Sequence, residues 1–406
     1  MANFDLMRQL ARTKGGKIFL LVMDGLGGLP MTPNGLTELE TAKTPNMDRL
    51  AKEGSLGATI PVRRGITPGS GPAHLGLFGY DPVEYQIGRG ILSALGVGLD
   101  VKTGDVAARG NFCTVDENGI VTDRRAGRIA TDKAMERVEI LRQIQIPGVE
   151  VEVEIEKEYR FVVVMRGESL SHHLADTDPQ VEGKKPFPVA PLQQDPTTAR
   201  TVRLFEQWVD EAFKRLQGHE PANGVLLRGF ATDPNLPKYN DVYKLNAACV
   251  AVYPMYKGVS QLVGMQIIDT QGLETPAEEF GKVAEIWKDF DFVFCHIKKT
   301  DSYAEDGKFD EKVHLIEQVD AALPTILDLK PDVVMITGDH STPAKLKSHS
   351  WHPVPLLLWA PATHMPDHAE AFGERACYNG ALGQLPAYDV MQLALAHALR
   401  LDKFGA

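Results

Sequence analysis

The chain has 406 residues, 43% of them hydrophobic and 24% charged, and its 43 basic and 54 acidic side chains give a formal net charge of −11. That length predicts two or three domains, and the apolar fraction supplies packed cores and excludes intrinsic disorder. The acidic balance excludes a general binder of nucleic acid or membrane surface, which needs a basic face. It does not exclude a small anion held by a local cluster of arginine and lysine.

Four scattered cysteines, Cys113, Cys249, Cys295 and Cys377, show neither zinc-module nor disulfide spacing, which points to a reducing compartment. Residues 1–16 lack the apolar core of a signal peptide. The run Ile18–Met23 is too short to span a bilayer. A cytoplasmic protein without membrane association is expected, and nothing in the composition sets an oligomeric state.

Ile18–Met23 opens the series of predicted elements and ends at Asp24. It lacks alternation, as do Phe292–Ile297, Val333–Thr337 and Val354–Trp359, so all four read as strands buried on both faces of a parallel sheet. Thr44-Pro45 opens a helix that buries Met47, Leu50 and Ala51 and ends at Gly54. Thr67 to His74 is a Gly-rich turn around Ser70, before the helix-like run Ala73–Phe78. Glu150 to Tyr159 alternates acidic with mostly apolar residues, the pattern of a half-solvated strand, or of a cation site on its acidic face. Ser171–Asp195 is a long loop with four prolines, and loops of that length carry function or mobility. Asp195-Pro196 opens a helix with a stripe of Val202, Phe205, Val209, Ala212, Phe213 and Leu216, and with Gly218 at its end. Val313, Ile316, Val319 and Leu323 mark another helix before the Val333 strand. The parallel-sheet signals thus flank a differently patterned centre, which predicts an inserted domain.

Asp24, Asp301 and Asp339 lie at or just beyond the carboxyl ends of predicted strands, the edge where open parallel sheets bind ligands. Singly, each is more often a turn or cap residue. Together, with His340 beside Asp339 and His349 nearby, they form a mixed oxygen and nitrogen donor set suited to Mn²⁺, Mg²⁺ or Zn²⁺. Ser70 reads either as a cap in a Gly-rich turn or as a serine near a helix N-terminus, where backbone N–H groups favour an anion. His74 is either a supporting residue of that site or an ordinary helix residue. Arg109 and the run Asp123-Arg124-Arg125-Ala126-Gly127-Arg128 read either as a solvated basic turn or as guanidinium forks for phosphate or carboxylate.

Val22-Met23-Asp24-Gly25, Thr44-Pro45-Asn46-Met47-Asp48-Arg49-Leu50, the Ser70 turn with His74, Asp123–Arg128 and Gly338-Asp339-His340-Ser341-Thr342 stand in an order that resembles the archaeal-type cofactor-independent phosphoglycerate mutases of the alkaline phosphatase superfamily. Tyr80-Asp81-Pro82 and Arg228-Gly229 add to the likeness, which runs from about Lys17 to the C-terminal helix. The resemblance implies an α/β fold, an alkaline-phosphatase-like, mostly parallel sheet flanked by helices, with a smaller α+β domain inserted. The boundaries expected are 1–84 and 235–406 for the metal-binding domain and 85–234 for the inserted substrate-binding domain. It also implies interconversion of 3-phosphoglycerate and 2-phosphoglycerate, without 2,3-bisphosphoglycerate, through a phosphoserine at a two-metal site. Closure of the inserted domain, with a contribution from the Ser171–Asp195 loop, would exclude water.

On this resemblance Ser70 is the nucleophile. Asp24, Ser70, Asp339 and His340 bind one cation, and Asp301 and His349 bind the other. Many relatives carry histidine four residues after the aspartate, where this chain has Glu305. A carboxylate there favours Mn²⁺, with Mg²⁺, Co²⁺ or Zn²⁺ as alternatives, and Glu305 either binds the second cation or stands aside. Arg109, Arg125, Arg128 and Arg228, the last placed after a strand Val225–Leu227, are the expected contacts for a small phosphorylated acid. Asp123 is expected to hold a glycerate hydroxyl or act as acid/base, and Lys257 and Lys298 to stabilise charge. Asp176 and Asp178 read as turn caps. Two other readings fit the same residues: another metal-dependent phosphatase, phosphomutase or small-molecule kinase of the scaffold, and a catalytically silent binding protein.

Overall fold

The computed structural model describes residues 4–405. Among the described residues, thirteen strands stand in chain order as β1 Ile18–Met23, β2 Ser55–Ile60, β3 Val106–Val115, β4 Val121–Asp123, β5 Glu150–Lys157, β6 Arg160–Arg166, β7 Gly224–Ala231, β8 Ala247–Ala251, β9 Gln266–Ile267, β10 Phe292–Ile297, β11 Val333–Thr337, β12 Val354–Trp359 and β13 Gly383–Pro386. The chain separates into two compact units. One comprises the stretches up to Gln86 and from Pro237 onward, and the other is Ile87–Leu236.

The first unit is built on an eight-stranded sheet in the order β13-β2-β12-β11-β1-β10-β8-β9. Every residue of β1, β8, β10 and β11 is buried, which is why these runs are continuously apolar. Phe19, Leu21 and Met23 of β1 pack with Met47 and Leu50 of the helix Pro45–Glu53, with Phe280 and Val283, and with Ile316 and Val319 of the helix Phe309–Ala322. The run Val354–Trp359 is a buried strand but not a parallel one. It pairs antiparallel with both β11 and β2, because the chain returns after Thr337 along a short excursion instead of a helical crossover.

Register then positions the site. Val22 of β1 stands opposite His296 of β10 and Thr337 of β11, all parallel. The residues that follow, Asp24, Lys298 to Asp301, and Asp339-His340, therefore leave the sheet at one edge, and the central place of β1 puts Asp24 between the other two groups.

The second unit is a five-stranded sheet, β4-β3-β6-β5 with β7 also paired to β3, and is α+β. Its core joins Val106 and Phe112 of β3, Phe161 and Val163 of β6, and the helix Pro196–Leu216. That helix is capped by Asp195, whose carboxylate accepts from the Thr198 amide at 2.9 Å. Its buried stripe contains Leu204 and Trp208 besides the expected Val202, Phe205, Ala212 and Leu216.

The acidic face of β5 is not a cation site. Glu152 pairs with Arg166, Glu154 with Arg142 and Glu156 with Arg109. Tyr159 lies in the turn to β6, not on the strand, and Arg228 lies inside β7, which runs on to Ala231.

Gly110 of β3 stands opposite Phe161 of β6, whose buried ring covers it. A Cβ at Gly110 would fall 2.2 Å from that ring. Alanine for glycine normally gains about 0.4–1 kcal/mol through the unfolded chain, but forcing this aromatic ring aside costs about 1–3 kcal/mol. Gly110→Ala is therefore expected to lower the urea midpoint of the protein; a midpoint at or above wild type would contradict this packing.

Candidate metal centre and arginine basin

Asp24 follows β1 directly, and its backbone amide continues the β10 pairing to Ile297 O at 2.9 Å. Gly25 follows with φ +62°, and a Cβ there would lie 2.5 Å from Thr342 Oγ1 and 2.9 Å from Asp301 Oδ1, so only glycine lets the β1 loop approach the other two. Its amide donates to Asp339 Oδ1 at 3.1 Å. Asp301 lies in the first turn of the helix Lys299–Glu305, and Glu305 lies in its last.

Two groups of donors converge, each within 4.8 Å of one another: Asp24, Asp339 and His340, and Asp301, His340 and His349. His340 belongs to both. Its Nε2 lies 3.2 Å from Ser70 Oγ, 3.4 Å from Asp24 Oδ1 and 3.2 Å from Asp339 Oδ2. His349 uses Nδ1 on the Pro68 carbonyl at 3.0 Å, which leaves Nε2 facing Asp301 Oδ1 at 3.6 Å. Ser70 heads the helix Ser70–Leu77, whose N-cap Gly69 supplies no side-chain cap, so the first-turn N–H groups keep their donors for an anion. His74, one turn on, engages the Ser70 carbonyl through Nδ1 at 2.8 Å and lies 3.3 Å from Asp339.

The electrostatics of this cluster call for cations. Three carboxylates face one lysine, Lys298, whose Nζ lies 2.8 Å from Asp24 and 2.6 Å from Asp301. Burial and then the Asp339 charge push the Asp24 carboxyl up to about 7. Burial likewise raises Asp339. For Asp301, burial acts upward, but the Lys298 ammonium, by charge and hydrogen bond, and the Thr342 hydroxyl hold the carboxyl below its ordinary value. Burial pushes His340 down to about 3, leaving it a neutral imidazole able to coordinate. Asp24 Oδ1 and Asp339 Oδ2 are sealed from solvent and accept no hydrogen bond. Orphaned carboxylate oxygens beside a neutral imidazole are the donor set of a divalent cation, so the residues fit one.

Glu305 stands outside both groups. It lies 3.9 Å from His349 Nε2, with its side chain 53% exposed. Lys257 makes no ion pair with the cluster among the described residues. Three partners escaped the sequence reading. The Tyr256 hydroxyl donates to Asp24 Oδ2. His296 is fully buried 3.6 Å from the same oxygen. Thr342 Oγ1 joins Asp301 Oδ1 at 2.8 Å to His340 Nδ1 at 2.9 Å. His296 is hidden inside an apolar strand and Tyr256 on a helix, so neither has a local signal.

The inserted unit carries its own site, a basin of about 210 Å³ lined by Arg89, Arg109, Asn111, Arg124, Arg125, Tyr159, Gln180 and Arg228. Arg109, Arg125 and Arg228 come together as the sequence suggests; Arg89 and Arg124 join them. Arg128 does not line it. Ala126, Gly127 and Arg128 all have positive φ, the backbone reverses, and Arg128 turns to Glu158 at 3.7 Å. Asp123 does not line it either, because its two oxygens accept the Arg125 and Gly127 amides at 2.7 Å. Asp178 is more than a turn cap. It accepts the Gln180 amide, but it also grips Arg124 at 2.9 and 2.6 Å and lies 3.6 Å from Arg228.

The family of 2,3-bisphosphoglycerate-independent phosphoglycerate mutases matches residues 51–222 of the chain. Over 400 residues, 98% of each chain, it is 52% identical to a Thermotoga neapolitana protein named probable 2,3-bisphosphoglycerate-independent phosphoglycerate mutase. Among solved structures, a Pyrococcus horikoshii protein is 33% identical with a TM-score of 0.80, covering 97% of this chain and 100% of its own. The cofactor-independent phosphoglycerate mutase of Thermoplasma acidophilum is 29% identical with a TM-score of 0.74, covering 94% and 100%.

The raised carboxyls set a pH dependence. Asp24 titrates near 7 in the fold against 3.8 ordinarily, so between those values the metal-free fold binds more protons than the unfolded chain and loses stability as pH rises. A divalent cation needs the carboxylates ionised. Melting with chelator and with excess Mn²⁺ from about pH 5 to about pH 8 is expected to show a metal-induced rise in Tm that grows with pH. An equal rise at both ends would contradict it.

Proposed function

Since the chain belongs to the 2,3-bisphosphoglycerate-independent phosphoglycerate mutase family, we propose that it interconverts 3-phosphoglycerate and 2-phosphoglycerate through a phosphoserine at Ser70. What carries the reading is the Ser70 hydroxyl, 3.2 Å from the one imidazole shared by both donor groups. Ser70 Oγ gives up its proton and attacks phosphorus, the bond to the substrate oxygen breaks, that oxygen takes up a proton, and glycerate is left beside phosphoserine. The other glycerate hydroxyl then takes the phosphoryl group back and restores Ser70. Such an exchange is an isomerisation in which no phosphate is released.

Asp24, Ser70, Asp339 and His340 would hold one divalent cation, His340 through Nε2, and Asp301 and His349 the other. Bound there, the cations would lower the pKa of the serine hydroxyl and balance the charge of the transferring group. The chain's own groups prepare that chemistry. His74 fixes the Ser70 carbonyl, and with it the start of the helix. The uncapped first-turn N–H groups favour an anion at the serine. Lys298 supplies a buried positive charge at the same edge. In the inserted unit the arginine basin suits the anionic groups of a small phosphorylated acid, and guanidinium forks bind carboxylate and phosphate bidentately.

We assign the cations as Mn²⁺ in preference to Zn²⁺. The donor set lacks thiolate, and Glu305, one helical turn after Asp301 and 3.9 Å from His349 Nε2, biases the second site toward a hard ion. In an assay coupled to enolase, with Mn²⁺ and no 2,3-bisphosphoglycerate, Ser70→Ala is expected to lose essentially all activity. Robust turnover by that variant would overturn the phosphoserine, and release of inorganic phosphate by wild type would favour a phosphatase. Glu305→His is expected to move the metal preference toward Zn²⁺; an unchanged order of activation by Mn²⁺, Mg²⁺, Co²⁺ and Zn²⁺ would show that Glu305 does not set it.

A further inference from the structure

Lys312 is a lysine buried completely beneath the metal-binding edge, on the helix Phe309–Ala322. Its Nζ donates to the Gly25 carbonyl at 2.9 Å and the Thr342 carbonyl at 2.9 Å, with the Gly27 carbonyl at 3.5 Å. Gly25 follows Asp24 and anchors Asp339 through its amide. Thr342 holds Asp301 and His340 through its hydroxyl. One ammonium group therefore touches the backbone on either side of the join between the β1 and β11 loops, and that join carries ligands of both candidate cation sites.

The acids around Lys312 act on the same two loops. Glu38 lies 3.8 Å from Nζ and accepts the Ala344 amide at 2.7 Å. Glu374 accepts the Gly28 amide at 2.8 Å and the Thr37 hydroxyl. A buried charge of this kind is tolerated only where hydrogen bonds and counter-charges replace its hydration. Here its partners are loop carbonyls, so the desolvated ammonium is held in place by the loops and holds them in turn. The Thr342 amide also reaches the Gly25 carbonyl at 3.2 Å and the Gly27 carbonyl at 3.0 Å, so an apolar side chain of the same length would leave the Thr342 carbonyl without this donor and the two loops joined by that amide without the ammonium, a looser join.

We infer that Lys312 is a positioning residue of the metal centre, clamping the Asp24 loop to the His340 loop so that both cation sites form at once. The inference rests on the metal centre proposed above and concerns a residue that touches neither substrate nor cation. Its test is Mn²⁺ binding measured by calorimetry on the full chain, independent of turnover. Lys312→Met is expected to stay folded by circular dichroism and to bind Mn²⁺ about 10–100-fold more weakly, the range for removing a support of a ligand shell. The KM for 3-phosphoglycerate at saturating Mn²⁺ is expected to stay near wild type while kcat falls. Lys312→Gln, which keeps a donor for one carbonyl, is expected to lie between. Gly110→Ala, destabilising but in the other unit, is expected to bind Mn²⁺ like wild type.

A folded Lys312→Met variant with wild-type Mn²⁺ affinity would overturn this role alone, and so would Gly110→Ala weakening the metal equally. If neither Lys312 variant folds, the residue is a fold determinant and the positioning role falls. A wild type that binds no Mn²⁺ removes the metal centre itself and this inference with it.

Discussion

The mutual repulsion of Asp24, Asp301 and Asp339, sealed together at one edge of the sheet, is the constraint on which this structure turns. Carboxylates out of water repel strongly and lose their hydration. The fold answers with Lys298 between Asp24 and Asp301, Lys312 beneath the loops, and a raised carboxyl at Asp24. The remaining deficit is of the kind divalent cations fill. Much around the cluster follows from that need: Gly25 is small so that the loops can meet, Thr342 spans two candidate ligands, and His340 is neutral because it is buried.

The inserted unit solves the opposite problem. Arg89, Arg109, Arg124, Arg125 and Arg228 crowd one basin, and bare guanidinium groups would push apart. Glu156 holds Arg109, Asp176 lies beside Arg228, and the fully buried Asp178 sits between Arg124 and Arg228. These acids orient the forks and cancel part of the charge, leaving a surplus suited to a small anion. A protein of net charge −11 can thus present a positive site, because the sign that matters is local.

Several elements were legible from local pattern. Runs buried on both faces announced β1, β10, β11 and β12, and Asp-Pro announced the helix from Pro196. Asp24, Asp339 and His340 could be singled out because each abuts a strand end. Arg89 could not, lying on a short Gly-bounded helix twenty residues before Arg109, and Lys312 looks in sequence like one more charge on a helix face. Arg128 was misleading for a local reason: three successive positive-φ residues turn it from its neighbours.

The sequence by itself determined the class of fold, the strand ends that carry acids, the serine at a helix start and, through its motifs, the family. Periodicity and caps act within one element, over a few residues, and can be read there. Only the tertiary structure decided which of these residues meet. The order β10-β1-β11 and its parallel register bring Asp24, Asp301 and Asp339 into one cluster, reverse β12, draw Tyr256, His296 and Lys312 in around it, and leave Glu305 at its rim. Those are contacts between elements far apart in the chain, set by packing and by charge compensation, and no spacing along the sequence encodes them.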